Sequence, residues 1–239
     1  MSARIDVVDP GVVRIALPDR ASHAYLFLGK RLALVDCGTR ETSTALMVAL
    51  RDLDVSRHAI SLLILTHEHE GHAGAAGAFP EAIVAAHPLA AAKLRYGDDE
   101  ATRLDAAHLP SLELAGGSVV HIGGFSFDVI HAPGHTSGSI CLYERARGLL
   151  VTGDTAFAEG TPTGIDASGS RGDQVSTLER LALLPARLML PGHGRISDDP
   201  QADLGVALEA ARSGQREPSV RALSQARGKQ PVSPANPLP

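Results

Sequence analysis

The sequence predicts an α/β fold in which two β-sheets pack face to face and helices cover their outer surfaces. Short apolar, strand-like segments occur in two batches, one before residue 87 and one between residues 118 and 152. Each batch is followed by segments whose apolar residues recur at helical spacing. One segment, Ser61–Leu65, is apolar throughout, which is typical of a strand buried on both faces. Periodicity alone therefore predicts an α/β chain with two β-rich halves.

The first half begins with strands and continues into alternating helices and strands. A Gly29-Lys30 pair separates two short apolar runs and predicts a β-hairpin. The predicted strands of this half are Val12–Leu17, Ala24–Leu28, Arg31–Val35, Ser61–Leu65 and Ile83–Ala86. The predicted helices are Thr42–Leu53, Leu89–Tyr96 and a short helix or turn at Ala73–Phe79. The charged stretch Gly97–Leu109 is compatible with a helix or with a lid.

The second half opens with four β-like segments between Ser118 and Thr152, with glycines at their turns. A loop rich in Gly, Ser and Thr is expected over Ala156–Asp173. The elements predicted after it are a helix at Val175–Leu184, a strand at Arg187–Leu190 and a helix at Ala202–Ala211. We predict one domain over residues 1–213 and a Pro-rich, weakly ordered tail over residues 214–239.

The charge and cysteine content of the chain limit the binding partners that can be expected for it. Lys and Arg number 22 against 27 Asp and Glu, a formal net charge of −5 at pH 7. Proteins that bind nucleic acid or an anionic membrane need a basic surface, so we expect neither partner. Cys37 and Cys141 lie in apolar runs and are predicted to be small core residues. With no secretory signal visible, we expect a cytoplasmic location, a small-molecule substrate and, as an open alternative, a homodimer.

Histidines cluster directly after the buried strand Ser61–Leu65, in the run Thr66-His67-Glu68-His69-Glu70-Gly71-His72. In an extended chain His67 and His69 project to the same face, and the turn that Gly71 allows brings His72 in from another direction. Neutral imidazole is the commonest metal ligand among side chains. This spacing therefore predicts a metal site at the end of the strand.

Three later segments repeat one pattern, in which a glycine and then a polar side chain follow a strand. They are Pro133-Gly134-His135, Thr152-Gly153-Asp154 and Pro191-Gly192-His193. Together with the first cluster they supply six potential ligands, whereas one metal needs three or four. Six ligands are enough for two metals about 3.5–4 Å apart.

With these four motifs, the segment from about Val12 to His193 resembles the metallo-β-lactamase superfamily. That family's pattern is His-x-His-x-Asp-His, then a distant His, a Gly-Asp and a Gly-His, and the Asp36-Cys37-Gly38 turn is similar to its first motif. The resemblance implies a four-layer αβ/βα sandwich of two mixed sheets with metals at one edge. It implies a first metal site of His67, His69 and His135, and a second of His72 and His193, with Asp154 as the bridging ligand.

One position departs from that pattern, because Gly71 stands where the family has an Asp that binds the second metal. Losing a ligand should cost at least the roughly 10–100-fold in affinity that losing a ligand's supporting partner costs. We therefore expect one tightly bound Zn²⁺, with Fe²⁺ or Mn²⁺ as alternatives, and a second metal that is weakly bound or absent. Glu70 or Glu68 is an open candidate for the missing carboxylate.

The leading functional hypothesis is metal-dependent hydrolysis of a small-molecule ester, lactone or thioester by a metal-activated hydroxide. Asp154 and His193 are the predicted catalytic residues. The first alternative is a redox enzyme similar to the superfamily's sulfur dioxygenases, with one iron held by His67, His135 and Asp154. The second alternative is a non-catalytic metal-binding member of the superfamily.

The remaining histidines and one arginine are weaker candidates. His121 and His131 lie in predicted strands and are expected to be packed or hydrogen-bonded rather than ligands. His23 and His87 are open candidates for lining the cleft. Arg171 could grip a substrate carboxylate, but a solvated loop arginine is the preferred interpretation.

Overall fold

The computed structural model describes residues 2–97, 104, 108–160 and 163–214, and within them twelve strands and five α-helices. The strands are β1 (Arg4–Asp9), β2 (Val12–Ala16), β3 (His23–Phe27), β4 (Leu32–Val35), β5 (Ile60–Ile64), β6 (Ile83–Ala86), β7 (Leu112–Glu113), β8 (Val119–Ile122), β9 (Phe125–His131), β10 (Ile140–Glu144), β11 (Leu149–Gly153) and β12 (Leu188–Pro191). The helices are α1 (Ser43–Asp52), α2 (Glu70–Ala73), α3 (Pro88–Tyr96), α4 (Arg171–Leu181) and α5 (Pro200–Ser213).

The strands form two mixed sheets. The seven-stranded sheet has the order β1-β2-β3-β4-β5-β6-β7, antiparallel as far as β4 and parallel from β4 onward. The five-stranded sheet has the order β12-β11-β10-β9-β8, in which β11 and β12 are parallel and the other neighbours antiparallel. The hairpin predicted at Gly29-Lys30 joins β3 to β4.

Three apolar layers hold the sheets and helices together. Between the sheets, aromatic rings interdigitate, with Phe27 and Phe127 edge to face at a centroid distance of 5.2 Å. The outer face of the seven-stranded sheet packs on α1 and α3 through residues such as Leu50 and Leu94. The outer face of the five-stranded sheet packs on α4 and α5 through Leu178 and Leu204, among others. The order helix, sheet, sheet, helix is the predicted four-layer sandwich, and the prediction is confirmed.

Most predicted elements lie within a few residues of their positions in the structure. The helix or turn predicted at Ala73–Phe79 is divided into α2 (Glu70–Ala73) and a single 3₁₀ turn at Ala76–Ala78. Another displaced element is α4. This helix begins at Arg171 rather than at the predicted Val175. Its first turn carries no apolar residue and so lacks the pattern that marks a helix. The Ser170 hydroxyl accepts a hydrogen bond from the Asp173 backbone N–H at 3.1 Å and caps that turn.

Some predictions lie outside the described residues. They are most of the stretch Gly97–Leu109 and the predicted tail beyond Gly214. Cys37 and Cys141 are buried core residues, as predicted. Among the helices that the structure describes, none combines the length and the apolarity needed to cross a bilayer.

Strand direction brings the predicted site together. The chain leaves β5, β9, β11 and β12 at one shared edge of the two sheets, and five of the six predicted ligands lie in the loops after these strands. The sixth, His72, lies on the short helix α2 rather than on the turn predicted at Gly71. The sheets are joined there, because the Ile140 N–H donates to the Thr66 carbonyl at 2.9 Å. The His23 N–H on β3 likewise donates to the carbonyl of Gly192, which follows β12, at 2.7 Å. Main-chain hydrogen bonds therefore hold this edge together without any contribution from the ligand side chains.

Replacing Phe127 by alanine should lower the free energy of unfolding by about 3–5 kcal/mol, because a fully buried ring between the sheets is lost. Leu183→Ala is the control, since Leu183 is 84% exposed, and should stay within about 0.5 kcal/mol of the parent protein. Denaturant-induced unfolding measures both changes. A loss below about 1 kcal/mol for Phe127→Ala would contradict the position of this ring in the core.

Candidate metal centre

The loop after β5 is anchored by Asp36, which follows β4. One carboxylate oxygen accepts the Thr66 backbone N–H at 2.8 Å, and the other accepts the Thr66 hydroxyl at 2.8 Å and His72 Nδ1–H at 2.8 Å. Asp36 has a φ of 58°, a left-handed conformation that is uncommon for a residue with a side chain. This strained, buried carboxylate fixes both the beginning of the loop and the ring orientation of His72.

Three imidazoles converge in what we call the first cluster, formed by His67, His69 and His135. His69 Nδ1 lies 3.1 Å from His67 Nε2 and 3.0 Å from His135 Nε2. His67 is 1% exposed and His135 8%, so water has little access to them. Their separation is close to the edge of about 3.3 Å between ligands of a tetrahedral zinc with bonds of 2.0–2.1 Å.

In each ring of the first cluster, the nitrogen that points away from the other two rings has a hydrogen-bond partner, and that partner determines the tautomer. His135 Nδ1 faces the Gly164 carbonyl at 2.5 Å and must donate to it. His69 Nε2 faces an Asp166 carboxylate oxygen at 3.2 Å and must donate to it. The Thr66 hydroxyl gives its proton to Asp36, so it accepts from His67 Nδ1 at 3.1 Å.

Each ring therefore turns an unprotonated nitrogen toward the other two. The lone pair of His69 lies 3.0–3.1 Å from each of the other two nitrogens, and such lone pairs repel one another unless a cation lies between them. Neutral imidazoles whose other nitrogens are held by hydrogen bonds are the donors that Zn²⁺ takes in proteins. The residues of the first cluster thus fit a divalent metal ion.

Asp154 lies between the first cluster and a second cluster, which it forms with His72 and His193. One carboxylate oxygen is 3.1 Å from His72 Nε2, and the other is 3.5 Å from His193 Nε2 and 3.9 Å from His135 Nε2. His72 Nε2 and Asp154 Oδ1 are both buried and form an ion-pair contact with each other. His193 is about one-third exposed and lies at the solvent side of the cluster.

Burial and charge separate the protonation states of the two clusters. Burial and the neighbouring imidazoles hold the pKa of His67 well below its ordinary value, and burial lowers the pKa of His135. Burial also acts against the charged form of His72, but the carboxylates of Asp154 and Asp36 raise its pKa to about 10. The pKa of Asp154 lies well below its usual range; burial opposes this, and His72 and His193 outweigh it. The neutral forms of His67 and His135 are therefore favoured, whereas the protonated form of His72 is favoured.

Neither glutamate of the histidine run reaches the clusters. The Glu70 carboxylate accepts the Arg40 backbone N–H at 2.9 Å, on the far side of the loop. Glu68 is buried and pairs with the Lys93 ammonium instead. Among the described residues, a Cβ added to Gly71 would meet one atom within 4 Å, the Arg20 carbonyl oxygen at 3.4 Å. The position of the family's Asp is therefore open.

The other candidate histidines contribute no atom to either cluster, although the ring centroid of His23 lies 6.5 Å from that of His193. His23 donates from Nε2 to the Gly194 carbonyl at 2.7 Å and so supports the loop that carries His193. His87 and His131 stack on each other with centroids 4.0 Å apart. His121 is exposed on β8. Arg171 is exposed at the start of α4, in agreement with the preferred interpretation.

Two polar residues next to the first cluster escaped prediction. Asp166 contacts His69, and Lys93 lies 3.9 Å from the Asp166 carboxylate. Asp166 lies in a Gly/Ser-rich loop and Lys93 on α3, so no shared sequence motif links them to the histidines. The one available signal was the Asp-x-Ser sequence at residues 166–168, which is typical of a side-chain-stabilised turn.

Known proteins match this chain over most of its length. Residues 17–193 match the family model described as the metallo-beta-lactamase superfamily. A probable metallo-hydrolase of Methanocaldococcus jannaschii is 33% identical over 192 residues, which cover 74% of this chain and 90% of that protein. An acyl-coenzyme A thioesterase of Bos taurus is 32% identical over 158 residues, which cover 55% of each chain.

A solved structure supports the same relationship. The crystal structure of a metallo-beta-lactamase family protein from Thermus thermophilus has a TM-score of 0.75 and 25% identity. The match covers 87% of this chain and 81% of that one. The chain thus spans most of the archaeal and Thermus proteins but only about half of the thioesterase.

His135→Ala should lower the affinity for Zn²⁺ by more than about 100-fold, because it removes one of the three donors of the first cluster. The matched control is His121→Ala, which removes an exposed imidazole outside both clusters. Metal content after equilibrium dialysis, measured by plasma mass spectrometry, compares the two variants. Equal zinc retention in both would contradict the first cluster as a metal site.

Proposed function

The chain belongs to the metallo-β-lactamase superfamily, and we propose that it is a metal-dependent hydrolase of a small-molecule thioester, ester or lactone. The observation that carries the proposal is the convergence of three unprotonated imidazole nitrogens at the shared edge of the sheets. His67, His69 and His135 would hold a divalent cation tightly. His72, Asp154 and His193 would hold a second one weakly.

A divalent cation at this position would supply Lewis acidity and lower the pKa of a bound water from 15.7 toward about 7. Asp154 touches both clusters, and its carboxylate would accept a proton from the attacking water. His193 Nε2 lies 3.5 Å from this carboxylate and is the most solvent-exposed member of the second cluster. With no second metal bound, His193 would pass the proton from Asp154 to the leaving group. These roles make Asp154 and His193 the proposed catalytic residues.

The substrate class rests on the chain's relationships. The bovine relative carries the name acyl-coenzyme A thioesterase, and the archaeal relative that of a probable metallo-hydrolase. Thioesters, esters and lactones share one reaction, in which a hydroxide adds to an acyl carbon and an oxyanion forms. The net charge of −5 gives no support for nucleic acid as the substrate.

A mononuclear iron enzyme is the second candidate function. His67, His135 and Asp154 form the two-histidine, one-carboxylate set typical of non-haem iron, with His135 Nε2 3.9 Å from the carboxylate. His69 lies closer to both histidines than Asp154 does to His135. The three-histidine set therefore favours zinc and hydrolysis.

Zinc-loaded full-length protein should hydrolyse at least one member of a panel containing acyl-coenzyme A thioesters, aryl esters and acyl lactones. Asp154→Asn should lower the turnover by about 10²–10⁴-fold, because it removes the proton acceptor. Asp128→Asn is the control, since Asp128 forms an ion pair with Arg145 on the surface of β9. Thiol release and pH-stat titration measure the rates.

The outcomes of the panel separate the three functional classes. Zinc-dependent turnover that is lost in Asp154→Asn supports hydrolysis. Iron that co-purifies with the protein, together with oxygen consumption when glutathione persulfide is added, would contradict hydrolysis and support the redox function. Tightly bound zinc without turnover of any panel member would favour the non-catalytic alternative.

Gly71→Asp should raise the affinity for a second metal by at least about 10-fold, since it restores a carboxylate next to His72. The new side chain has room, because the nearest atom to its Cβ is the Arg20 carbonyl oxygen at 3.4 Å. Gly71→Ala is the matched control, as it changes the backbone in the same way but adds no ligand. Metal titration should give two tight equivalents for Gly71→Asp and one for Gly71→Ala; one equivalent for both would contradict the prediction.

A further inference from the structure

The segment from Thr163 to Ser170, which we call the clasp loop, holds the Asp166 carboxylate in a fixed orientation. Asp166 Oδ1 accepts hydrogen bonds from the Ser168 N–H at 2.7 Å, the Ser168 hydroxyl at 2.7 Å and the Gly169 N–H at 3.0 Å. These three donors occupy one carboxylate oxygen. The other oxygen, Oδ2, is turned toward His69 Nε2 at 3.2 Å.

The clasp loop contacts a second member of the first cluster. The Gly164 carbonyl accepts His135 Nδ1–H at 2.5 Å, and the Asp166 N–H donates to the His135 carbonyl at 2.9 Å. One short loop thus holds the outer nitrogens of two of the three converging imidazoles, which come from different sheets.

An ion pair between Lys93 and Glu68 also supports the clasp loop. The Lys93 ammonium on α3 contacts both the Glu68 carboxylate and the Ser168 hydroxyl. Glu68 lies between His67 and His69 in the sequence, and its second oxygen accepts the Thr136 hydroxyl at 3.1 Å. Lys93 therefore joins the histidine run, the segment after His135 and the clasp loop.

The neighbours of Asp166 make it an acceptor. Two backbone N–H groups and one hydroxyl face Oδ1, and the Lys93 ammonium lies 3.9 Å from Oδ2. Because every one of these neighbours is a donor, the carboxylate accepts, and the proton shared with His69 belongs to the imidazole.

We propose that Asp166 is the positioning residue of the first cluster: it holds the His69 proton on Nε2 and so turns the Nδ1 lone pair toward the metal. The inference rests on the proposed metal site of this cluster. Asp166 itself does not touch the metal or the reacting atoms. Its effect passes through the tautomer and the ring orientation of His69.

Asp166→Asn tests this role with little disturbance of the fold. The three donors of Ser168 and Gly169 need an acceptor, so the asparagine oxygen takes their place opposite them. The amide NH₂ then faces His69 Nε2 and donates to it, which moves the imidazole proton to Nδ1. In that tautomer the nitrogen aimed at the other two histidines no longer has a lone pair, as when an amide replaces the orienting carboxylate of a catalytic histidine.

Nitrogen-15 NMR of the metal-free, full-length protein reads the tautomer directly. His69 should carry its proton on Nε2 in the parent protein and on Nδ1 in Asp166→Asn, with its signals assigned by their loss in His69→Ala. The dissociation constant for Co²⁺ at the first cluster should rise about 10–100-fold in Asp166→Asn. Asp52→Asn, on the exposed side of α1, is the control and should match the parent protein.

The possible results separate this inference from the proposed function. A parent protein that binds no Co²⁺ refutes the metal site, while the tautomer of His69 still tests Asp166. An Nδ1–H tautomer in the parent protein would overturn the inference. So would Co²⁺ affinity in a folded Asp166→Asn variant, verified by circular dichroism, that lies within twofold of the parent value.

Discussion

Repulsion among three unshared electron pairs is the constraint on which this site depends. His67, His69 and His135 each have an outer nitrogen held by a hydrogen-bond acceptor, so their inner nitrogens are bare. Those inner nitrogens lie 3.0–3.1 Å apart in two of the three pairs, and His67 and His135 are buried. A bound cation stabilises imidazoles that are fixed in this way, and removal of the cation destabilises them. Metal binding and the local stability of this edge are therefore coupled.

The rest of the fold can be understood as the means of keeping these nitrogens in place. Two sheets buried against each other supply a rigid edge, and main-chain hydrogen bonds between their loops join it. Asp36 adopts an unfavourable left-handed conformation there and is compensated by three hydrogen bonds to Thr66 and His72. Backbone strain stored at this position thus serves to orient His72 and the loop that precedes it.

The sequence was informative where chemistry and strand order coincide. Five of the six predicted ligands lie in loops that follow strands, so strand direction brings them to one edge, and helix α2 adds His72 there. Their role as ligands stays a prediction. Asp166 and Lys93 could not be predicted in this way. Asp166 reaches His69 across 97 positions of the sequence, and Lys93 reaches Ser168 across 75, through side chains whose orientation depends on tertiary packing. The start of α4 was misplaced for a related reason, because a cap formed by Ser170, and not an apolar pattern, begins that helix.

The most direct test of this account is X-ray absorption spectroscopy at the zinc edge, on full-length protein loaded with one equivalent of Zn²⁺. We expect three imidazole nitrogens at about 2.0–2.1 Å and one further light ligand, the environment that His67, His69 and His135 would provide. A spectrum without multiple-scattering features of imidazole, or with a coordination shell dominated by carboxylate oxygens, would contradict it.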